Sequence, residues 1–246
     1  MRAASRKVKR VLVIDVGGTH VKVMATGQGE ERRIRSGSKM TATRMVRDLK
    51  RLAKGWQYEC VSIGYPGPVI HGHPVHEPYN LGGGWVGFNF GKAFERPVKV
   101  INDAAMQALG SYQGGRMLFL GLGAGLGSAM IVDGILEPME LAHLPYKNGK
   151  TYEDYVGLRG LKRVGKKNWR RHVADVVERL KKALEAEYVV LGGGNAKHIK
   201  CRLGSFESTN PMRHNRNAFV GGSRLWEKKT KPFGGNEKKP AAKRRR

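Results

Sequence analysis

The strongest structural signal in the chain is the stretch Val11-Leu12-Val13-Ile14-Asp15-Val16-Gly17-Gly18-Thr19-His20-Val21-Lys22. Its apolar, β-branched beginning is typical of a buried strand, and Asp15 puts a carboxylate near the end of that strand. Gly17 and Gly18 allow a sharp turn and let backbone N–H groups approach a ligand without a Cβ in the way. The alternating residues that follow predict a second strand, so the stretch predicts a hairpin with Asp15 to Thr19 at its tip.

A Gly-Gly pair between two strands is also an ordinary hairpin turn. The acid directly after a buried strand, together with the Thr19 hydroxyl and the Lys22 cation, favours a phosphate-binding hairpin. The stretch is not a Walker A loop, because the pattern G-x-x-x-x-G-K-[ST] occurs nowhere in the chain.

The pattern D-x-G-G-T-x-x-K resembles the first phosphate motif of the sugar kinases in the actin-like ATPase superfamily, and most of all that of the ROK family. The resemblance implies an α/β protein with the actin-like ATPase (ribonuclease H-like) fold, built from two lobes with a cleft between them. We expect residues 10–103 and 216–227 to form the N-terminal lobe and residues 104–215 the C-terminal lobe. Residues 1–9 and 228–246 are expected to be basic, flexible tails.

The composition is strongly basic. Lys and Arg number 46 against 20 Asp and Glu, which gives a formal net charge of +26. Such a surface attracts polyanions, although a solvated basic surface without a partner is the alternative. No apolar run approaches the ~20 residues that cross a bilayer, and Cys60 and Cys201 form no C-x-x-C pair. We therefore expect a cytoplasmic protein without membrane contact.

A second glycine-rich turn follows another predicted strand. Glycines occupy every second position at Gly121, Gly123, Gly125 and Gly127, which does not fit the G-x-G-x-x-G of a dinucleotide site. Strand, glycine loop and strand repeat the opening hairpin, and the segment resembles the family's second phosphate motif. Further on, Gly192-Gly193-Gly194-Asn195 resembles the adenosine motif of the superfamily. The resemblance implies that these residues bind the phosphate donor, together with Asp15, Gly17, Gly18, Thr19, Lys22, Gly123, Gly125 and Gly127.

Asn102 and Asp103 end a predicted strand and precede a predicted helix. A carboxylate at such a junction can simply cap the helix. However, the pair stands where ROK kinases carry their sugar-binding Asn and catalytic Asp. The resemblance therefore implies that Asp103 is the catalytic base and that Asn102 holds the sugar.

Other sugar contacts are carried over from the same family. Asn80 would hydrogen-bond a sugar hydroxyl, and Trp85 would line the pocket. Glu140 and His143 belong to a variant of the E-x-G-H motif in which Ala142 replaces the glycine. Glu153 lies where the family has another sugar-contacting Glu, although an exposed acid at a helix start is an alternative.

Metal expectations are limited to Mg²⁺. The family resemblance implies that Asp15 orients this ion, directly or through water. Many ROK proteins carry a cysteine zinc motif after the E-x-G-H motif, but this chain has no cysteine between Cys60 and Cys201, so we expect no zinc. The histidines His71, His73 and His76 match no familiar ligand spacing and are expected at the surface.

Residues 159–182 are predicted to be helical and very basic, with an apolar stripe at Val173, Val176, Val177 and Leu180. A charged face opposite such a stripe is usually solvated, but the run Lys166-Lys167-Asn168-Trp169-Arg170-Arg171 is denser than solvation requires and favours a polyanion contact. Three stretches most resemble the polyphosphate glucokinases within the ROK family: His143-Leu144-Pro145-Tyr146, Trp169-Arg170-Arg171-His172-Val173 and Val190-Leu191-Gly192-Gly193-Gly194-Asn195-Ala196-Lys197.

The resemblance, together with the basic surface, implies a kinase that transfers the terminal phosphate of inorganic polyphosphate to the 6-hydroxyl of glucose, with ATP as a further candidate donor. A strictly ATP-dependent ROK hexokinase would have the same site. A ROK repressor would need a DNA-binding domain ahead of the first strand, where the sequence has about nine residues. A polyanion-binding protein on a kinase scaffold would explain the charge but not the acids Asp15, Asp103 and Glu140. We expect a homodimer that binds nucleic acid only non-specifically.

Overall fold

A computed structural model describes residues 9–199, 206–208 and 211–227. The predicted basic tails lie outside these residues apart from Lys9, and so does Cys201. Within the described part of the chain, no helix combines the length and apolar character required to cross a membrane.

The chain alternates strands and helices. The strands are β1 (Val11–Val16), β2 (His20–Ala25), β3 (Arg32–Arg35), β4 (Cys60–Tyr65), β5 (Val69–Ile70), β6 (His73–Pro74), β7 (Val98–Asn102), β8 (Arg116–Leu122), β9 (Leu126–Val132), β10 (Ile135–Met139), β11 (Pro145–Lys147), β12 (Lys150–Thr151), β13 (Tyr188–Gly192) and β14 (Phe206–Ser208). The helices are α1 (Ala42–Leu52), α2 (Phe90–Phe94), α3 (Asp103–Ser111), α4 (Tyr152–Val156), α5 (Leu158–Ala183) and α6 (Pro211–Arg224), and a short 3₁₀ turn spans Ala196–His198.

Two five-stranded sheets share one topology. The first has the order β3-β2-β1-β4-β7 and the second β10-β9-β8-β13-β14. In the first sheet β1, β2 and β3 form an antiparallel meander, and β4 and β7 run parallel to β1. In the second sheet β8, β9 and β10 form the same meander, and β13 and β14 run parallel to β8. This repeated arrangement is the actin-like fold that the sequence predicts.

Burial explains why these segments form these elements. Along β2, Val21, Val23 and Ala25 are buried while the residues between them are partly exposed, which is the period of a strand with one face in the core. All six residues of β4 are buried, as expected for a central strand covered on both faces. In α1 the Thr41 side chain caps the first turn, and the buried residues include Met45 and Leu49.

Helices α3 and α6 pack against each other, and α3 also contacts β4, β8 and β9. Glycines let the two helices approach closely, since a methyl group at Gly110 would overlap Asn217 and one at Gly221 would overlap Met106. Helix α6 also contacts β1 and β4, and the Ser62 hydroxyl donates to the Gly222 carbonyl at 2.6 Å. Helix α3 therefore lies in contact with both sheets, and its first residue is Asp103.

Candidate active site

The hairpin between β1 and β2 positions a carboxylate opposite a cation. Asp15 is in register with Lys22 across the antiparallel pair. The turn closes with a hydrogen bond of 3.0 Å from the Gly17 N–H to the His20 carbonyl. A methyl group at Gly17 would lie 2.9 Å from that carbonyl oxygen, which explains the glycine. Gly18 and Thr19 are exposed at the tip, where their N–H groups can meet a ligand.

Asp103 begins α3 beside this hairpin. The N-cap of α3 is Asn102, whose Oδ1 accepts the Ala105 N–H at 3.1 Å, and Asp103 Oδ1 accepts the Ala104 N–H at 2.8 Å. Asp15 is in register with Gly64 on the neighbouring strand β4. A methyl group at Gly64 would overlap the Met106 side chain of α3 and would lie 3.4 Å from the Asp103 Cα. The glycine thus makes room for Met106, and the start of α3 lies against the strand next to Asp15.

The charge of Asp15 acts on the Asp103 carboxyl group. Burial raises the pKa of Asp103, and the charge of Asp15 raises it further, to about 7, against the opposing hydrogen bond from the Ala104 N–H. Burial also raises the pKa of Asp15, while the Lys22 cation opposes that shift. A carboxyl group whose pKa lies near 7 is suited to accept a proton at neutral pH.

The second glycine hairpin packs against the beginning of α3. Gly121 and Gly127 face each other across β8 and β9. A methyl group at Gly127 would lie 2.8 Å from the Cβ of Ala104, the residue after Asp103. The structure therefore brings the second hairpin next to the predicted base, on the side of the second sheet.

Two side chains hold this second hairpin. Glu153 Oε2 accepts the Leu126 N–H at 3.3 Å, and a methyl group at Gly125 would overlap the Glu153 carboxylate. Asn195 donates from Nδ2 to the Gly123 carbonyl at 2.8 Å, and its own N–H donates to the Leu122 carbonyl at 2.9 Å. Glu153 and Asn195 are thus in contact with the predicted donor hairpin.

The glycines before Asn195 differ in their surroundings. A methyl group at Gly192 would overlap the Phe119 ring, and one at Gly193 would come within 2.6 Å of the Leu122 backbone. Gly193 also has a φ of +79°, which favours glycine. Gly194 has open space on the side where a Cβ would stand. Packing explains the first two glycines, and a donor contact at Gly194 stays a prediction.

The predicted sugar residues lie on different elements of the fold. Asn80 lies beside the first hairpin, with its Cβ 3.5 Å from the position of a methyl group on Gly18. Glu140 and His143 are exposed, and their Oε1 and Nε2 atoms are 3.9 Å apart. Asn102 caps α3 and also donates to the Gly67 carbonyl at 3.2 Å, so its side chain has a structural role.

The expectation that Trp85 lines the sugar pocket is wrong. Its side chain is 0% exposed, packs on the rings of Tyr65 and Phe90, and donates from Nε1 to the Gly82 carbonyl at 2.6 Å. The carboxylate of Glu77 accepts the Trp85 N–H at 3.1 Å. The indole is therefore an anchor for the loop rather than a ligand surface.

Within the described residues, no three or more His, Cys, Asp or Glu side chains cluster to hold a metal ion. Mg²⁺ is commonly held by one or two carboxylates together with substrate phosphates and water. Asp15, at a phosphate-type hairpin, is a hard oxygen donor of that kind, so the residues present fit Mg²⁺. The histidines His71, His73 and His76 are exposed as expected.

A polar and aromatic cluster beside α5 was missed by the sequence reasoning. The Tyr146 hydroxyl donates to Asp175 Oδ2 at 2.6 Å and lies 3.1 Å from His172 Nδ1. Tyr155 packs edge-on against both rings. The cluster ties the β11–β12 hairpin, which immediately precedes the Glu153 helix, to α5. Tyr146 and His172 lie in two of the stretches that resemble polyphosphate glucokinases, but no spacing rule predicts that they meet.

The family model described as the ROK family matches residues 11–138 of the chain. That range is just over half of the chain and contains both glycine hairpins, Asn102 and Asp103. The chain belongs to the ROK family.

Relatives within this ROK family share most of the chain's length. A polyphosphate glucokinase of Mycobacterium tuberculosis (strain ATCC 25618 / H37Rv) is 26% identical over 225 residues, which is 81% of this chain and 83% of the relative. The crystal structure of the inorganic polyphosphate/ATP-glucomannokinase from Arthrobacter sp. strain KM has a TM-score of 0.74 and 25% identity, covering 88% of this chain and 98% of that one. A ROK family glucokinase from Streptomyces griseus, in complex with glucose and AMPPNP, has a TM-score of 0.66 and 16% identity, covering 88% and 98%.

Proposed function

We propose that this ROK protein is a polyphosphate-dependent glucokinase that transfers the terminal phosphate of inorganic polyphosphate to the 6-hydroxyl of glucose. The observation that carries the proposal is Asp103, a carboxyl group with a pKa of about 7 placed between two glycine hairpins and beside Asp15. The relatives named polyphosphate glucokinase and polyphosphate/ATP-glucomannokinase support this donor and this type of acceptor.

In this mechanism Asp103 accepts the proton of the sugar 6-hydroxyl as the oxygen attacks the terminal phosphorus in line with the leaving phosphate. Asn80 and Asn102 hold the ring near the first hairpin and the start of α3. Glu140, His143 and Glu153 bind it from the side of the second sheet. Correct placement of the hydroxyl supplies much of the rate, because the reaction becomes effectively unimolecular.

The donor phosphates lie between the hairpins. The first hairpin offers the N–H groups of Gly17, Gly18 and Thr19 and the Lys22 cation. The second offers N–H groups at Gly123, Gly125 and Gly127. Gly192, Gly193, Gly194 and Asn195 complete the donor site from the next segment. Oriented backbone dipoles of this kind stabilise the negative charge that spreads over the transferred phosphoryl group.

Asp15 would hold Mg²⁺, directly or through water. When bound, the ion would supply positive charge that offsets the charge of the phosphate oxygens. The Lys22 cation opposes the rise in the pKa of Asp15 that burial causes, and so favours the ionised carboxylate.

Two other functions have specific support. An ATP-dependent glucokinase has the same site, and the Arthrobacter enzyme is named for both donors. A polyanion-binding protein on a kinase scaffold is supported by the net charge of +26. The homodimer, the cytoplasmic location, the lobe boundaries and the choice between glucose and mannose stay predictions.

The decisive experiment incubates the purified protein with glucose, Mg²⁺ and either long-chain polyphosphate or ATP, and measures glucose 6-phosphate. We expect product with polyphosphate. Product with ATP alone would support the strictly ATP-dependent kinase. No product with either donor, together with salt-dependent binding of nucleic acid, would support the polyanion-binding protein and overturn the proposal.

A further inference from the structure

A group of basic side chains lies where α5 meets the 3₁₀ turn that follows the second donor segment. We define the cationic cluster as Lys166, Arg170, Lys197 and His198. Arg170 Nε donates to the His198 carbonyl at 2.7 Å, and the rings of Trp169 and His198 are in edge contact with centroids 6.5 Å apart. These contacts bring two segments that are distant in sequence to one surface.

The charges of the cluster act on one another. Burial lowers the pKa of His198, and the cations Lys166, Lys197 and Arg170 lower it further. His198 is therefore neutral at pH 7, and three permanent positive charges converge around it. Lys166 and Lys197 are exposed. None of the ion pairs between described residues uses a side chain of this cluster.

The local backbone adds to the positive potential. Helix α5 is kinked at Gly165, where φ is 72° and ψ is 161°, so a new helical segment begins at Lys166. The amino end of a helix carries a partial positive charge that favours anions. Lys166 and its neighbours thus combine side-chain charge with the positive end of a helix of more than four turns.

The cluster is continuous with the proposed donor site. The 3₁₀ turn begins directly after Asn195, whose side chain is bound to the second glycine hairpin. The His198 N–H donates to the Asn195 carbonyl at 2.9 Å. A chain of phosphates that leaves the hairpin past Asn195 would therefore meet the cluster next.

We infer that the cationic cluster is a second anion subsite, which binds the non-reacting part of a linear polyphosphate while its terminal phosphate lies between the hairpins. The inference rests on the proposed function and extends it, because the cluster would be a determinant of donor length. Cations that form no ion pair with another described residue, beside a donor site, are suited to a ligand that carries a negative charge on every unit. A single-stranded nucleic acid is disfavoured because such ligands are usually bound with stacking on exposed aromatic rings, and Trp169 is 0% exposed.

The test is the double variant Lys166→Gln and Lys197→Gln in the full chain. A matched control is Lys54→Gln and Lys92→Gln, which removes the same charge from exposed positions after α1 and within α2. Arg170 is left intact because it also holds the His198 backbone. Glucose phosphorylation is measured with long-chain polyphosphate and with ATP at several salt concentrations.

We expect the cluster variant to raise the KM for long-chain polyphosphate about tenfold, equivalent to about 1.4 kcal/mol, with kcat unchanged. The salt dependence of that KM should weaken, because fewer phosphate charges are neutralised. The KM for ATP should stay within about twofold of the parent, and the control pair should behave like the parent for both donors.

Three results would overturn the subsite. The first is an unchanged KM for polyphosphate in the cluster variant. The second is an equal increase of that KM in the control pair, and the third is an equal increase of the KM for ATP in the cluster variant. Direct titration with labelled polyphosphate separates this inference from the proposed function. If the parent phosphorylates glucose with neither donor, the proposed function fails. In that case, polyphosphate binding that is weaker in the cluster variant but not in the control pair still supports the subsite. Tighter binding of a single-stranded oligonucleotide than of polyphosphate, lost in the same variant, would assign the cluster to nucleic acid instead.

Discussion

The two glycine hairpins have the same position in two sheets of the same topology, yet they differ in chemistry and support. The first presents Asp15 opposite Lys22, and its tip residues Gly18 and Thr19 are exposed. The second has no charged residue in its own turn. It is held by Glu153 and Asn195 and packs on the first turn of α3.

This difference indicates a division of labour between the sheets. In the proposed mechanism the first hairpin would contribute charges near the reacting group, where an ionised side chain can orient a metal ion or a transferred phosphate. The second would contribute backbone N–H groups, which need rigid support because a displacement of about 1 Å can cost ~10²-fold in rate. Asp103 lies beside Asp15 and precedes Ala104, which packs on the second hairpin, so its environment reflects both.

The largest expected effect is from Asp103→Asn. The amide cannot accept the hydroxyl proton, so we expect turnover to fall ~10²-fold or more. The side chain keeps its size, so glucose binding measured by calorimetry should persist. Turnover close to that of the parent enzyme would show that Asp103 is not the base.

The melting temperature of the same variant serves as the control for folding, and the direction of its change follows from the pKa of Asp103. The pKa of Asp103 is raised in the folded protein, so its ionisation destabilises the fold above pH 7 and has no such effect below about pH 4. Removing the charge should leave the melting temperature at pH 8 equal to or above that of the parent. A lower melting temperature would point to a structural defect as the cause of lost activity.

The contrast in packing predicts different responses to a single methyl group. Gly127→Ala would place its Cβ 2.8 Å from the Cβ of Ala104, so overpacking should cost about 1–3 kcal/mol and shift the start of α3. We expect about a tenfold loss of kcat and a lower melting temperature.

Gly18→Ala is the matched variant in the first hairpin. Its Cβ would make an ordinary contact of 3.5 Å with Asn80, so the melting temperature should change by less than about 2 °C. Equal destabilisation by the two substitutions would contradict the difference in support between the hairpins.

The smallest effect concerns the cluster that ties the β11–β12 hairpin to α5. Burial alone would raise the pKa of Asp175, but hydrogen bonds from Tyr146, Lys147 and Arg179 outweigh it and lower the pKa to about 2. A lowered carboxyl pKa stabilises the fold above about pH 4, and that contribution is lost as the pH falls towards 2. Urea unfolding of Asp175→Asn should therefore show a weaker dependence on pH between 4 and 2 than the parent. Identical pH dependence would exclude this role.

The fold was largely predictable because its signals are local. The hairpin at Asp15 and the stripe of valines in α5 follow from apolar periodicity and glycine position alone. The repeated order of the two sheets was predictable only through the family resemblance, because strand pairing between distant segments leaves no periodic pattern.

The site was predictable as a set of residue types but not as a set of contacts. Sequence could place Asp103 at a strand-to-helix junction, yet its pKa depends on a nearby Asp15 that is 88 residues earlier in the chain. For Trp85, the role predicted from sequence was wrong. An aromatic residue in a glycine-rich loop suits a ligand pocket and a loop anchor equally well, and only packing against Tyr65 distinguishes them.

The most direct test of the account is the pH dependence of kcat/KM for glucose phosphorylation, in the parent and in Asp15→Asn. Asp103 must be ionised to accept the proton, so the parent rate should rise with pH and level off above an apparent pKa of about 7. Asp15→Asn should lower the plateau, because Asp15 is also the proposed Mg²⁺ ligand, and should move the rise of the remaining activity to lower pH, because the Asp15 charge raises the pKa of Asp103. A rise near pH 4, or one that stays at the same pH in Asp15→Asn, would contradict the claim that the paired carboxyl groups create the catalytic base.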